Sequence, residues 1–507
     1  MAKKDHYDHD HDDFHIVMVP FMAKGHLIPF LELATHIQQR ISSKITIAST
    51  PLNIQHLIKH HNQYHNHNHN HNHIHFAELP FNPAQHGLPP NGDNTANLRL
   101  EHIQKLAQAS LSLEEPLSSL ISKIKEEEGH PPLCIISDLF LGWVNNVAKS
   151  FGIKNITFNT SGAYGTLANM TVWFNLPHRN SSESDSDSDS DEFSVPGFPE
   201  NYKFRRSHMY RYLREVDAIS NDRARFIVSQ FSLSMKSDGW ICNTIEEVDS
   251  LGLDLLRKHI HLPIWSVGPL RRPLPLKGKE TSMANEKCIE WLNLKDERSV
   301  LYICFGSQNT ISASQMMALA EGLEKSETSF IWVVRPPLGF DINGEFNAHE
   351  WLPKGFEERI KNAQKGLLVH QWGPQMKILS HKSIAAFVSH CGWNSVMESL
   401  SCGVPIIGWP LAAEQAYNAK MLDEELGVGV ILTATVESVV SNEEVKNVIE
   451  MVMDQERGKG MIMKKKAEEI EVLMREATME KAKVKGSSIK AMDDFVRSIL
   501  PTKTMSM

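Results

Sequence analysis

WGPQMKILSHKSIAAFVSHCGWNSVMESLSCGVPIIGWPLAAEQ, residues 372–415, contains the unit from which the fold can be read. Ile384–Val388 is a short apolar run with the length of a buried strand, and it passes through His390-Cys-Gly-Trp-Asn-Ser395 into a helical pattern. Val404–Ile407 follows as a second strand. Strand, turn, helix and strand in succession predict a parallel sheet covered by helices on both faces.

The same alternation extends in both directions from this window. Val300–Phe305, Phe330–Val334 and Leu367–Val369 precede it as strands, each followed by helix-like sequence. The first half opens with the apolar run His15–Pro20, then a loop and the helical pattern Leu27–Arg40. Ile45–Ser49, Leu133–Ser137, Ile153–Phe158 and Gly239–Asn243 read as further strands, with helices around residues 98–127 and 142–150. Residues 271–278, rich in Pro, Lys and Arg, have the composition of an exposed connection. The chain is therefore expected to form two doubly wound α/β domains: residues 14–268, a linker at 269–283, and residues 284–480. The charged helical stretch 442–500 is expected to serve packing, and the C-terminal helix and tail, 481–507, to return to the first domain.

Composition excludes several functional classes. The 507 residues are 41% hydrophobic and 22% charged, ordinary for a globular chain, and the net charge of -9 offers nucleic acid no general attraction. No apolar run reaches the roughly 18–20 residues needed to span a bilayer. Residues 1–13 mix His, Asp and Lys without the form of a secretory signal, which predicts a disordered terminus and a cytoplasmic protein. The six cysteines have neither metal-ligand nor disulfide-framework spacing and read as reduced core residues. Two low-complexity stretches, His-Asn near 60–75 and Ser-Asp-Glu near 180–193, read as solvated loop insertions. The Asp-Ser-Asp triplet at 185–187 is inevitable in such a tract, so no metal site is expected.

Ligands of open parallel sheets bind beyond the carboxyl ends of the strands. There the first half places His26, after the first strand, and Asp138, after Leu133–Ser137. Imidazole takes a proton near neutral pH, and a carboxylate can fix its tautomer, so the two form a candidate general-base pair. In the second half, Gly392 permits close backbone approach, Asn394 and Ser395 can donate hydrogen bonds, and the start of the helix favours negative charge. Trp372 offers a flat face for a nucleobase, and Glu398 can accept from ribose hydroxyls.

The 44-residue window resembles the signature box of plant family-1 UDP-dependent glycosyltransferases, and it aligns without a gap. The likeness extends over nearly the whole chain, through Pro-Phe-Met-Ala-Lys-Gly-His-Leu-Ile-Pro at 20–29, Ser-Asp-Leu-Phe at 137–140, Val-Gly-Pro at 267–269 and Phe-Gly-Ser at 305–307. It implies the GT-B architecture, in which two Rossmann-like domains face a central cleft, with the acceptor bound by the N-terminal domain and the UDP-sugar by the C-terminal one.

Carried over residue by residue, the resemblance makes His26 the base and Asp138 its partner. Trp372 stacks on uracil, with Gly373 and Gln375 beside base and ribose. His390, Asn394 and Ser395 hold the diphosphate, with Ser307 near it; Glu398 holds the ribose, and Glu414 with Gln415 the sugar. Gln415, together with Trp393, matches the glucose-using pattern. An inverting glucosyl transfer to a small lipophilic metabolite follows, flavonoid, phenolic or terpenoid, by a monomer without cofactor or metal, UDP-glucose being a co-substrate. A catalytically silent nucleotide-sugar binder and a glycoside hydrolase are the competing readings.

Overall fold

A computed structural model describes residues 14–64, 74–179, 191–209, 213–214, 222–270, 283–433, 435, 437–481 and 484–501. The expected terminal disorder at 1–13, most of both low-complexity stretches and most of the linker fall outside these residues. The chain divides into two compact units, one of residues 1–161, 225–276 and 476–507, the other of 162–224 and 277–475.

The first unit is built on a seven-stranded parallel sheet. Its strands are β1 (Phe14–Val19), β2 (Ser43–Ser49), β3 (Ile74–Glu78), β4 (Cys134–Asp138), β5 (Lys154–Asn159), β8 (Gly239–Cys242) and β9 (Ile264–Ser266), in the order β3-β2-β1-β4-β5-β8-β9. The unbroken apolar runs have a direct cause. Along β1, Ile16 and Met18 enter one buried cluster and Val17 and Val19 another, because alternate side chains point to opposite faces and helices cover both. The C-terminal helix Ser487–Ile499 completes the first cluster with Met492, Phe495, Val496 and Ile499, and the Phe495 ring lies 5.3 Å from that of Trp265 on β9.

The second unit has a six-stranded parallel sheet of β10 (Val300–Cys304), β11 (Ser329–Val334), β12 (Gly366–His370), β13 (Ile384–Ser389), β14 (Ile406–Gly408) and β15 (Gly429–Ile431), ordered β12-β11-β10-β13-β14-β15. Leu301 and Ile303 face one core while Val300, Tyr302 and Cys304 face the other. Residues 162–224 follow β5 in sequence but pack with this unit: the helix Ala163–Asn175 lies on the helix Gln415–Lys420, and the hairpin of β6 (Glu192–Ser194) and β7 (Lys203–Arg205) brings Phe204 within 5.7 Å of Tyr417. A second hairpin, β16 (Glu480–Lys481) with β17 (Val484–Lys485), precedes the C-terminal helix.

The structure differs from the sequence expectations at several short elements. Residues 60–64, expected as loop, end the helix Pro51–Tyr64, and residues 74–75 begin β3. Glu192, likewise expected in an insertion, opens β6. Strands β3, β9 and β15 escape periodicity because they are short and bounded by low-complexity sequence, Pro or Gly, and their backbones are held by neighbouring strands. The strand read as beginning at Val404 starts at Ile406, after Pro405, whose carbonyl accepts from Phe387 N–H.

Three histidines bear on stability. Burial pulls His36, His178 and His390 from the ordinary 6.5 to about 4. Between those values the unfolded chain holds more protons than the folded one, so stability falls as pH drops through that window. Guanidinium midpoints are expected to decline from pH 7 to pH 5, and a flat profile over that range would contradict this.

Candidate active site

Both sheets reverse their strand order at one point, between β1 and β4 in the first unit and between β10 and β13 in the second. Beyond the carboxyl ends of strands at such switch points α/β sheets bind ligands, because the flanking connections diverge there.

In the first unit this point holds His26 and Asp138. The helix Lys24–Gln38 begins three residues before the expected start, so His26 stands in its first turn and not in a loop. Asp138 is the last residue of β4 rather than the residue after it, fully buried, and its Oδ1 accepts from the Phe140 N–H at 3.0 Å. His26 Nδ1 lies 2.7 Å from Asp138 Oδ2, and Thr160 Oγ1 is 3.2 Å from the same nitrogen. A carboxylate at Nδ1 places the proton there and leaves the lone pair on Nε2. The rings of Phe21 and Phe140, with centroids 5.4 and 5.7 Å away, restrict the imidazole's orientation, while its side chain keeps 21% exposure. Such a histidine is buried enough to be oriented and open enough to exchange a proton with a ligand.

In the second unit the site gathers around β10 and β13. Cys391, at φ 60°, turns the chain sharply after His390, and Gly392 caps the helix Trp393–Leu400. The His390 ring is wedged between two glycines. A Cβ at Gly306 would stand 2.7 Å from its Nε2 and one at Gly392 2.4 Å, so both positions exclude any other residue. Buried His390 is neutral, and its Nδ1 has no hydrogen-bond partner among the described residues. An orphaned ring nitrogen beside a helix start is costly unless a ligand meets it.

Gln375 joins three of the expected residues. Its Nε2 donates to Ser395 Oγ at 3.0 Å and to Glu398 Oε2 at 2.7 Å, and Tyr302 Oη donates to its Oε1 at 3.3 Å. The Glu398 carboxylate is thus aimed by an amide, with its second oxygen available to a hydroxyl. Trp372 is 52% exposed, unusual for so large a ring, and stands on two successive γ-turns: Trp372 N–H to His370 O at 2.8 Å about Gln371, whose φ is 64°, and Gln375 N–H to Gly373 O at 2.9 Å. Strained backbone under an exposed aromatic ring is characteristic of a ligand contact.

The remaining expected residues sit further along. Ser307 follows β10, half-buried, with Asn394 in the first turn of the helix after Gly392. Trp393 is buried, its ring edge 2.7 Å from where a Cβ at Gly162 would be. Glu414 and Gln415 lie beyond β14. Gln415 Oε1 accepts from the N–H groups of Leu411 and Ala412, both at 2.9 Å, so its carbonyl shapes the loop and only its amide N–H groups remain for a sugar. Sequence reasoning did not single out Thr160, Arg335 or Asn418. The last donates from Nδ2 to Cys391 O at 3.0 Å and secures the turn after His390. Proximity in space, not any local pattern, identifies all three.

Among the described residues no group of three or more His, Cys, Asp or Glu side chains is placed to hold a metal ion, and no helix is long and apolar enough to cross a membrane.

Known proteins resemble this chain in sequence and fold. Residues 12–194 match the family model "Glycosyltransferase, N-terminal domain" and residues 276–469 the model "UDP-glucoronosyl and UDP-glucosyl transferase". UDP-glycosyltransferase 92A1 of Arabidopsis thaliana is 37% identical over 494 residues, covering 96% of this chain and 97% of its own. Crocetin glucosyltransferase 3 of Crocus sativus is 39% identical over 453 residues, 88% of this chain and 91% of its own. The crystal structure of Medicago truncatula UGT71G1 complexed with UDP-glucose superposes with a TM-score of 0.74 at 27% identity, covering 96% and 98% of the two chains. The two Rossmann-like domains are of the GT-B type, the fold of this UDP-sugar-bound neighbour. The chain belongs to the plant family-1 UDP-glycosyltransferases, enzymes that transfer sugar from a UDP-sugar.

Proposed function

We propose that this enzyme transfers glucose from UDP-glucose to a hydroxyl of a small lipophilic plant metabolite, phenolic or terpenoid, with inversion at the anomeric carbon. The observation that carries the reading is the 2.7 Å contact between His26 Nδ1 and the buried Asp138 carboxylate. His26 Nε2 removes the proton of the acceptor hydroxyl, the oxygen attacks the anomeric carbon, and UDP departs from the opposite face. The imidazolium formed is stabilised by Asp138.

Trp372 supports uracil, Glu398 the ribose hydroxyls, and Ser307, His390, Asn394, Ser395 and the helix start beyond Gly392 the diphosphate, whose charge grows as the bond breaks. Glu414 and the Gln415 amide hold the sugar. The glucose assignment draws on Gln415 and Trp393 and on the naming of the Crocus relative for glucosyl transfer.

UDP release is the test, run with UDP-glucose, UDP-galactose and UDP-glucuronate against flavonoids, simple phenols and terpenoid alcohols, with product masses and anomeric coupling constants recorded. A hexose gain in β-linkage, fastest with UDP-glucose, is expected. An α-linked product would overturn the single-displacement mechanism, and a faster rate with another donor the glucose assignment.

A further inference from the structure

Arg335 follows β11, one strand away from the switch point, and its guanidinium is turned to two backbone carbonyls. Nη1 donates to Ser307 O at 2.6 Å, and Nε donates to Gln371 O at 3.0 Å. The first carbonyl belongs to the turn that carries Gly306 against the His390 ring; the second belongs to the strained residue beneath Trp372. Among the described residues no carboxylate is paired with this cation, and burial pulls its pKa below the usual guanidinium value.

Leaving a half-buried charge without a counter-ion is unfavourable, and hydrophobic packing alone would fill the space at less cost. What an apolar side chain cannot supply is a planar fork of N–H donors spanning two loops. The same segment fastens both loops again further on: Leu338 N–H donates to Ile311 O at 3.1 Å, and Gln371 Nε2 to Asn343 O at 3.2 Å.

We propose that Arg335 is a positioning residue for the donor, holding the 305–307 turn and the 371–373 turn at one spacing so that the phosphate-side and base-side contacts are met by a single UDP-sugar. This inference rests on the reading of Trp372 and Ser307 as donor contacts. Arg335 touches neither the acceptor nor the reacting atoms in this scheme, so its loss acts on donor binding rather than on the chemical step.

The test compares Arg335→Met, Arg335→Lys and Trp372→Ala by UDP calorimetry, steady-state kinetics with UDP-glucose and thermal melting. In Arg335→Met the UDP Kd and the UDP-glucose KM are expected to rise together by about tenfold, the loss of charge-assisted bonds from both loops, while kcat at saturating donor stays within about threefold. Arg335→Lys should fall between, since an ammonium lacks the fork that spans both carbonyls. A merely structural role would lower the melting temperature and leave Kd and KM unchanged.

Unchanged Kd in Arg335→Met, with a raised Kd in Trp372→Ala, overturns the role of Arg335 alone. Unchanged Kd in Trp372→Ala overturns the donor-site reading itself. Should the Met variant fail to fold, an unchanged Kd in Arg335→Lys overturns the proposal.

Discussion

His26→Ala is expected to lose about 10²- to 10⁴-fold in turnover on an alcohol acceptor, the usual worth of a positioned general base, with the Kd for UDP unchanged. The separation of the two effects follows from where the residues lie. His26 and Asp138 belong to the first unit, whereas Trp372, Gln375, His390, Ser395 and Glu398 belong to the second. Asp138→Asn should cost part of the same factor, because an amide at 2.7 Å can present its N–H to Nδ1 and drive the proton to Nε2, the nitrogen needed as base. Near-normal turnover by His26→Ala would remove the residue from the base's role.

Glu398→Ala should weaken UDP binding by about 10- to 100-fold, the range for hydrogen bonds to a charged group. Its discriminating consequence concerns the ribose. The native enzyme is expected to bind UDP more tightly than 2′,3′-dideoxy-UDP, and the variant to bind the two alike, because the hydroxyls then have no carboxylate to meet. The Gln375 amide, 2.7 Å from Glu398 Oε2, makes part of the effect indirect: its loss of a partner loosens the hydrogen bond to Ser395 as well. Gln375→Ala should therefore show a smaller version of the same change. A variant Glu398→Ala that still prefers UDP over the dideoxy compound would place the ribose elsewhere.

The two kinds of residue were legible to different degrees. Buried parallel strands announce themselves as apolar runs because both faces are covered, and β1, β4, β10, β11 and β13 were readable on that ground. Three-residue strands such as β9 and β15 carry too few side chains for a period, and β3 begins at the edge of a His-Asn tract. Their extended backbones are selected by the ladders of their neighbours, an interaction with residues distant in the chain.

What the sequence determined by itself is the parallel α/β class, the strand-to-helix turn at 390–395, the flat ring at 372 and the presence of a histidine and a carboxylate after two separate strands. These are local matters, set by side-chain periodicity and by the chemistry of single residues. Only tertiary structure decided that β1 and β4 are neighbours, which brings His26 to Asp138 across 112 positions of chain. It alone placed Gly306 and Gly392 on either side of His390 and drew Gln375, Ser395 and Glu398 into one network. It alone gave Arg335 two loops to hold, since a guanidinium's partners are backbone carbonyls that any residue could present and whose position depends on how β10, β11 and β12 pair.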